Sequence, residues 1–194
     1  MANSNTQGYG LIPTGTLGST PSTQGQGAYK IDAGYSAANI YHGAPVVSAA
    51  GYATEGTVVT TGTTGMFGVL NGIFYNAATT LKPTWSNGYI ATITPANSED
   101  TTAFVLDNPM QLYSISTDGA LTQAKHMQTF NMNAVSGSSI SEQSTNTLDI
   151  NNEHATNYSW RVIRIAEDPS NSDITANFLS VIAVSNLNEF VRKT

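Results

Sequence analysis

The chain has 194 residues and a formal net charge of −6; 20 residues are Asp, Glu, Lys or Arg, while Ser, Thr, Asn and Gln together number 70. A typical domain is about one quarter charged, so hydroxyls and amides cover this surface. Lys30 is the single basic side chain of the first 81 residues, which argues against an arm that neutralises nucleic-acid phosphates and against attraction to an anionic membrane; the lack of cysteine excludes disulfides and thiolate metal sites.

Residues 1–29 contain no charged side chain, and 21 of them are Gly, Pro, Ser, Thr, Asn or Gln. So few apolar groups cannot offset the entropy of ordering the segment by itself. The expectation is an extended arm, 1–29, that becomes ordered by lying on a neighbouring subunit, followed by a single β domain over 30–194. Tyr9, Leu11, Ile12 and Leu17 are the apolar anchors available to such an arm, with Tyr29 at its base. No basic region and apolar run follow Met1, so a secretory signal is not expected, and no stretch of about 18 apolar residues suggests a membrane span.

Tyr29 to Tyr35 reads as the start of the folded body. Asn39 to Val47 is expected to be a strand broken by Gly43 and Pro45, the proline marking an edge. Thr57 to Thr60 is short and β-branched. Met66 to Tyr75 (MFGVLNGIFY) is the strongest apolar run of the first half. It is either a hairpin turning at Asn71-Gly72 or one long strand bulged at its glycines. Tyr89 to Thr94, Thr102 to Leu106 and Gln111 to Ser116 alternate as half-buried strands do, with turn residues Asp107-Asn108-Pro109 between the last two. Ala120 to Gln128 has room for two helical turns, and nothing else sustains a helical stripe. Residues 133–157 read as a polar loop with a short strand at Thr147 to Ile150. Tyr158 to Ile165 and Asn177 to Ser185 close the domain; both faces of the second are apolar, as in a central strand. The fold class is all-β, a barrel or sandwich with little helix.

The residues carry no catalytic signature. Gly25-Gln26-Gly27 precedes Ala-Tyr-Lys rather than a phosphate-binding helix, and no Gly-x-Ser-x-Gly elbow occurs. His42, His126 and His154 are scattered, without zinc-ligand spacing. Glu99-Asp100, Asp107 and Asp118 lie on turns where calcium finds oxygen ligands, but solvated turn carboxylates read the same way and no calcium-loop spacing is present. Neither enzyme chemistry nor any cofactor or metal is expected. Trp85 and the tyrosines 9, 29, 35, 41, 52, 75 and 89 load the first half with aromatics, suited to core, subunit interface or sugar binding.

The run Asn39-Ile40-Tyr41-His42-Gly43-Ala44-Pro45-Val46, followed by Gly56-Thr57-Val58, resembles an N-I-aromatic-x-G-x-P-V pattern of tailed-bacteriophage structural proteins. Gly68 to Tyr75 resembles their GVxxGxxY strand, and the likeness continues through Trp85-Ser86-Asn87-Gly88-Tyr89, Ala103 to Pro109 and Gln111 to Ile115. It covers roughly residues 1–120; the C-terminal third is similar in style alone. Such proteins resemble capsid decoration, or cement, proteins. The resemblance implies a barrel or tulip-like body with an extended N-terminal arm, placed on the outside of the expanded head after synthesis in the host cytoplasm. It implies that the chain binds the major capsid protein, self-associates, commonly as a homotrimer, and reinforces contacts between capsid subunits. On that reading, deleting residues 1–29 leaves the body folded and weakens attachment. Two rival readings are a carbohydrate-binding adhesin or fibre module and a small jelly-roll coat protein.

Overall fold

The computed structural model describes residues 3–18, 25–56, 65–133, 137–155 and 157–191. Among them, twelve strands follow in chain order: β1 (Ile12–Thr16), β2 (Gly27–Ile31), β3 (Pro45–Ala49), β4 (Tyr52–Glu55), β5 (Gly68–Asn76), β6 (Pro83–Ser86), β7 (Thr101–Leu106), β8 (Gln111–Ser116), β9 (Thr129–Met132), β10 (Leu148–His154), β11 (Trp160–Ile165) and β12 (Ser180–Ser185). Short 3-10 turns, one of them at Gln123–Lys125 inside the expected helical stretch, are the only helical pieces among the described residues. The protein is all-β. Its two antiparallel sheets are not closed into a barrel and form a sandwich.

The first sheet runs β1-β8-β12-β11-β9-β10, and the second runs β2-β7-β5-β3-β4 with β6 beside β5. β12 is central because Val181 and Ala183 on one face and Ile182 and Val184 on the other are all buried. The inner face of the first sheet presents Tyr113, Ile115, Phe130, Leu148, Trp160, Val162 and Val181, and it packs on Met66, Val69 and Leu106 at one end of the second sheet. The other face of the second sheet buries Ile31, Val46, Ala53, Leu70, Ile73, Ala103 and Val105 beneath Tyr35, Ile40, Tyr41, Tyr89 and Ile93 from the flanking loops.

Three stretches of the sequence reading are decided by the structure. The 66–75 run is one long strand, with register shifting between Leu70↔Val105 and Gly72↔Phe104, so Asn71 is an extra, bulged residue. Asp107 to Met110 does turn the chain, but it carries it from the second sheet to the first instead of pairing β7 with β8. Tyr89 to Thr94 is not a strand: Tyr89 makes an isolated bridge to Ile40, and the chain then bends where Asn39 Oδ1 takes the amide of Ala91. The strand expected at Thr57 to Thr60 lies outside the described residues.

β3 and β4 form a hairpin closed by Ala50-Gly51, with Ala49↔Tyr52 as the last pair. Both loop residues have positive φ, 51° and 86°, as a type I′ turn requires. Alanine bears a steric cost there that asparagine bears less of. Ala50→Asn is therefore expected to raise stability by roughly 0.5–1 kcal/mol, seen as a higher urea midpoint at unchanged slope.

The detachable arm needs correction over its described part. Asn3 exchanges hydrogen bonds with the backbone of Asp173, and Ser4 N donates to Ser170 O. Tyr9 O accepts from Gln143 Nε2, Leu11 N donates to Gly43 O, and β1 pairs along β8 as an edge strand. β2 belongs to the second sheet. These residues satisfy their backbone groups inside their own domain, which is how so polar a segment becomes ordered. Residues 19–24 lie outside the description.

Candidate functional site

The five expected anchors separate into two groups. Leu11 is 1% exposed and lies in the core under the first sheet. Tyr9 reaches across the outer face of that sheet, its hydroxyl 2.8 Å from Ser114 Oγ and 2.9 Å from Ser180 Oγ. Tyr29 packs 4.7 Å from the Phe67 ring and donates to Asp107 Oδ2 at 2.6 Å. Ile12 and Leu17 remain on the surface, 44% and 40% exposed. Leu17 sits at the end of β1 against Met110, whose carbonyl its amide meets at 2.8 Å and whose side chain is 47% exposed. The free edge of β1 is guarded: Pro13 lacks an N–H, and the register shifts between Pro13 and Gly15. A partner there meets side chains more readily than a continuous backbone ladder.

Burial, and then the hydrogen bond and charge of Asp107, push the Tyr29 hydroxyl up to about 12. A raised folded-state value means that the phenol's contribution to stability is complete below its unfolded value near 10 and is lost as pH climbs through about 12. Tyr29→Phe is expected to flatten part of the alkaline fall in stability between those limits, measured by urea unfolding across pH.

Asp118, His42 and Glu142 serve the fold. Asp118 accepts from Ile150 N and from Asn133 Nδ2, fixing the start of β10. His42 Nδ1 lies 3.0 Å from the carbonyl of Asn71, at the bulge. Glu142, within the expected 133–157 loop, accepts from Ser86 Oγ and from the amides of Asn87 and Gly88. That loop is tied to β6, and its C-terminal part is strand β10. No group of three His, Asp or Glu suited to a metal ion occurs among the described residues. No helix among them is long and apolar enough to cross a membrane.

One surface escaped sequence reasoning. Cross-strand partners share a face, so the pairs Lys30↔Thr102, Thr102↔Phe74 and Phe74↔Trp85 form a row across β2, β7, β5 and β6. The next row is Ala28, Phe104 and Gly72. This is the face whose far end, Val69 and Leu106, lies beneath the first sheet. Asn71 creates it: an uninterrupted alternation from Val69 turns Gly72 and Phe74 to the opposite face, and the extra residue returns them outward. The Trp85 indole leans over Gly72, where any Cβ would collide with its ring, and comes 5.3 Å from the Phe104 ring at 35°. Trp85 is 49% exposed and Phe74 is 41% exposed. The clue was the register of Gly72 against Phe104, which no local pattern encodes.

Among known proteins, no family model, no curated protein and no solved structure matches this chain.

Proposed function

We propose that this chain is a non-enzymatic structural component of a tailed-phage virion, held on the outer surface of the capsid. There it reinforces contacts between major capsid subunits and associates with further copies of itself, as a trimer in the reading that the sequence resemblance implies. The observation that carries the proposal is the surface at β1. Ile12, Leu17 and Met110 stand exposed together at the two ends of a short edge strand, on a chain in which Ser, Thr, Asn and Gln outnumber charged residues 70 to 20. Such residues gain from leaving water on docking, and because each is already more than half covered, covering the rest is worth roughly 1 kcal/mol per side chain. A clamp that binds only assembled subunits stabilises the assembly by linkage and leaves the free subunit unaffected. The sparse charge suits a partner recognised by packing and by amide and hydroxyl hydrogen bonds. The proposal replaces a long arm reaching out with a folded edge presenting side chains.

The test is to band phage particles on a density gradient and quantify tryptic peptides of this chain against the most abundant capsid protein. Co-migration at a fixed, near-stoichiometric ratio is expected. Absence from the particle band overturns the proposal, and a few copies per particle assigns the chain to a tail or fibre instead. The double substitution Ile12→Ser with Leu17→Ser, both exposed, is expected to fold normally and to reduce occupancy at least tenfold when added back to particles lacking the protein.

A further inference from the structure

We propose that the exposed face of the second sheet is a glycan-binding platform that takes a neutral pyranose against Trp85 and Phe74. A sugar ring has one face of C–H groups and a rim of hydroxyls. It is recognised by a flat aromatic ring, whose negative π-face meets the C–H groups, with donors and acceptors set around it. The row Lys30–Thr102–Phe74–Trp85 has this composition. The indole is held over Gly72 and braced by Phe104, so its orientation is fixed before a ligand arrives.

Beside Phe74 the surface dips into an open groove of about 180 Å³, walled by Lys30, Asn76, Pro95, Glu99, Asp100 and Thr102. Its polar groups retain bonding capacity. Lys30 Nζ donates to Thr102 Oγ1 at 2.9 Å, one use of three donors. Asp100 accepts from Ala33 N through a single oxygen, and Asn76 meets Glu99 only at 3.5 Å. The groove therefore offers donors on Lys30 and Asn76 together with acceptors on Glu99 and Asp100, the two kinds of group that sugar hydroxyls need.

Charge selects among the classes of partner. Lys30, Glu99 and Asp100 together leave the groove with one net negative charge, which disfavours sialylated or sulfated glycans. It equally disfavours single-stranded nucleic acid, which stacks on aromatics but follows a positive channel. Protein interfaces are depleted of Lys, Glu and Asp at their centres, whereas here these residues line the groove beside Phe74. A neutral hexose or N-acetylhexosamine chain satisfies both the rings and the rim. This inference does not rest on the virion reading, since sugar binding belongs to the free chain and capsid occupancy is measured on particles.

The experiment displays the full-length chain multivalently on an array of neutral hexose, N-acetylhexosamine and fucose oligosaccharides, alongside sialylated and sulfated ones. The best neutral glycan is then titrated in solution while acrylamide quenching of tryptophan is followed. Trp160 is buried, so the quencher-accessible signal is that of Trp85. Binding to neutral glycans, protection of that indole in the unsubstituted chain, and at least a tenfold affinity loss in Trp85→Ala are expected. Leu81→Ala, an exposed position off this row, is expected to bind as the parent does. No neutral glycan bound, binding without protection of Trp85, a preference for acidic glycans, or self-association lost in Trp85→Ala would each overturn the assignment.

Discussion

Leu11→Ala is expected to lower the stability of the folded chain by about 2–5 kcal/mol, the range for emptying a fully buried leucine site. The neighbouring Ile12→Ala, at a position 44% exposed, is expected to change it by less than about 1 kcal/mol. The contrast separates two pictures of the N-terminal segment. If the segment were an arm waiting for a neighbour, both side chains would be solvated in the isolated chain and neither substitution would matter to its unfolding. In the structure Leu11 is 1% exposed, within the cluster that holds Tyr113, Ile115 and Leu148. Its amide is fixed to the carbonyl of Gly43, and Gly10 N donates to Asn146 O, so the backbone has little freedom to close the cavity that alanine leaves. Urea unfolding of the two variants at unchanged slope measures the difference. Equal midpoints would return the segment to the role of a free arm. The same packing reverses the expectation for removing residues 1–29: the truncation deletes edge strand β1 with Leu11 and the first three of the five residues of edge strand β2, and loss of the folded state is expected.

The sequence was informative wherever side chains alternate against a core. β7, β8, β11 and β12 are visible in that way, and the apolar character of both faces of β12 announces its central place. It was silent where backbone groups do the holding. β1 and β2 are built from Ile-Pro-Thr-Gly-Thr and Gly-Ala-Tyr-Lys-Ile and owe their order to ladders with β8 and β7, so composition assigned β1 to an arm ordered on a neighbouring subunit and began the folded body only at Tyr29. The Ala50-Gly51 turn lacks the usual Asn-Gly signal and passed unnoticed. Tyr89 to Thr94 shows the opposite error, an alternating stretch whose alternation serves to cover the second core from a loop. The aromatic surface depended on a bulge at Asn71 and on strands distant in sequence. Trp85 was noticed for its type, while Gly72 beneath it had meaning only as a turn or bulge residue.

Asn171→Ala is expected to lower stability by about 2–4 kcal/mol, because one buried amide meets three backbone groups that no other side chain replaces. Asn171 Oδ1 accepts from Ser180 N at 2.8 Å, while Nδ2 donates to Ser180 O at 2.8 Å and Ala166 O at 2.9 Å. The side chain thus occupies the place of a strand partner at the first residue of β12, the central strand of the first sheet. Ser180 also receives the N-terminal segment, since Asn5 Nδ2 donates to its hydroxyl at 2.7 Å and Tyr9 OH at 2.9 Å. Loosening Ser180 therefore loosens two parts of the chain at once. Asn171→Asp makes the argument specific. An aspartate keeps the acceptor for Ser180 N but turns its second oxygen toward two carbonyls, so the ionised form is repelled and the folded-state pKa is raised above the unfolded value near 3.9. By linkage, the aspartate variant has its greatest stability below that unfolded value, where the neutral acid can donate one hydrogen bond, and loses it as pH rises through the raised value. Relative to the alanine variant, it is expected to be the more stable of the two in acid and to lose that advantage toward neutral pH. Parallel pH profiles for the two variants would show that Asn171 fills space without pairing the backbone.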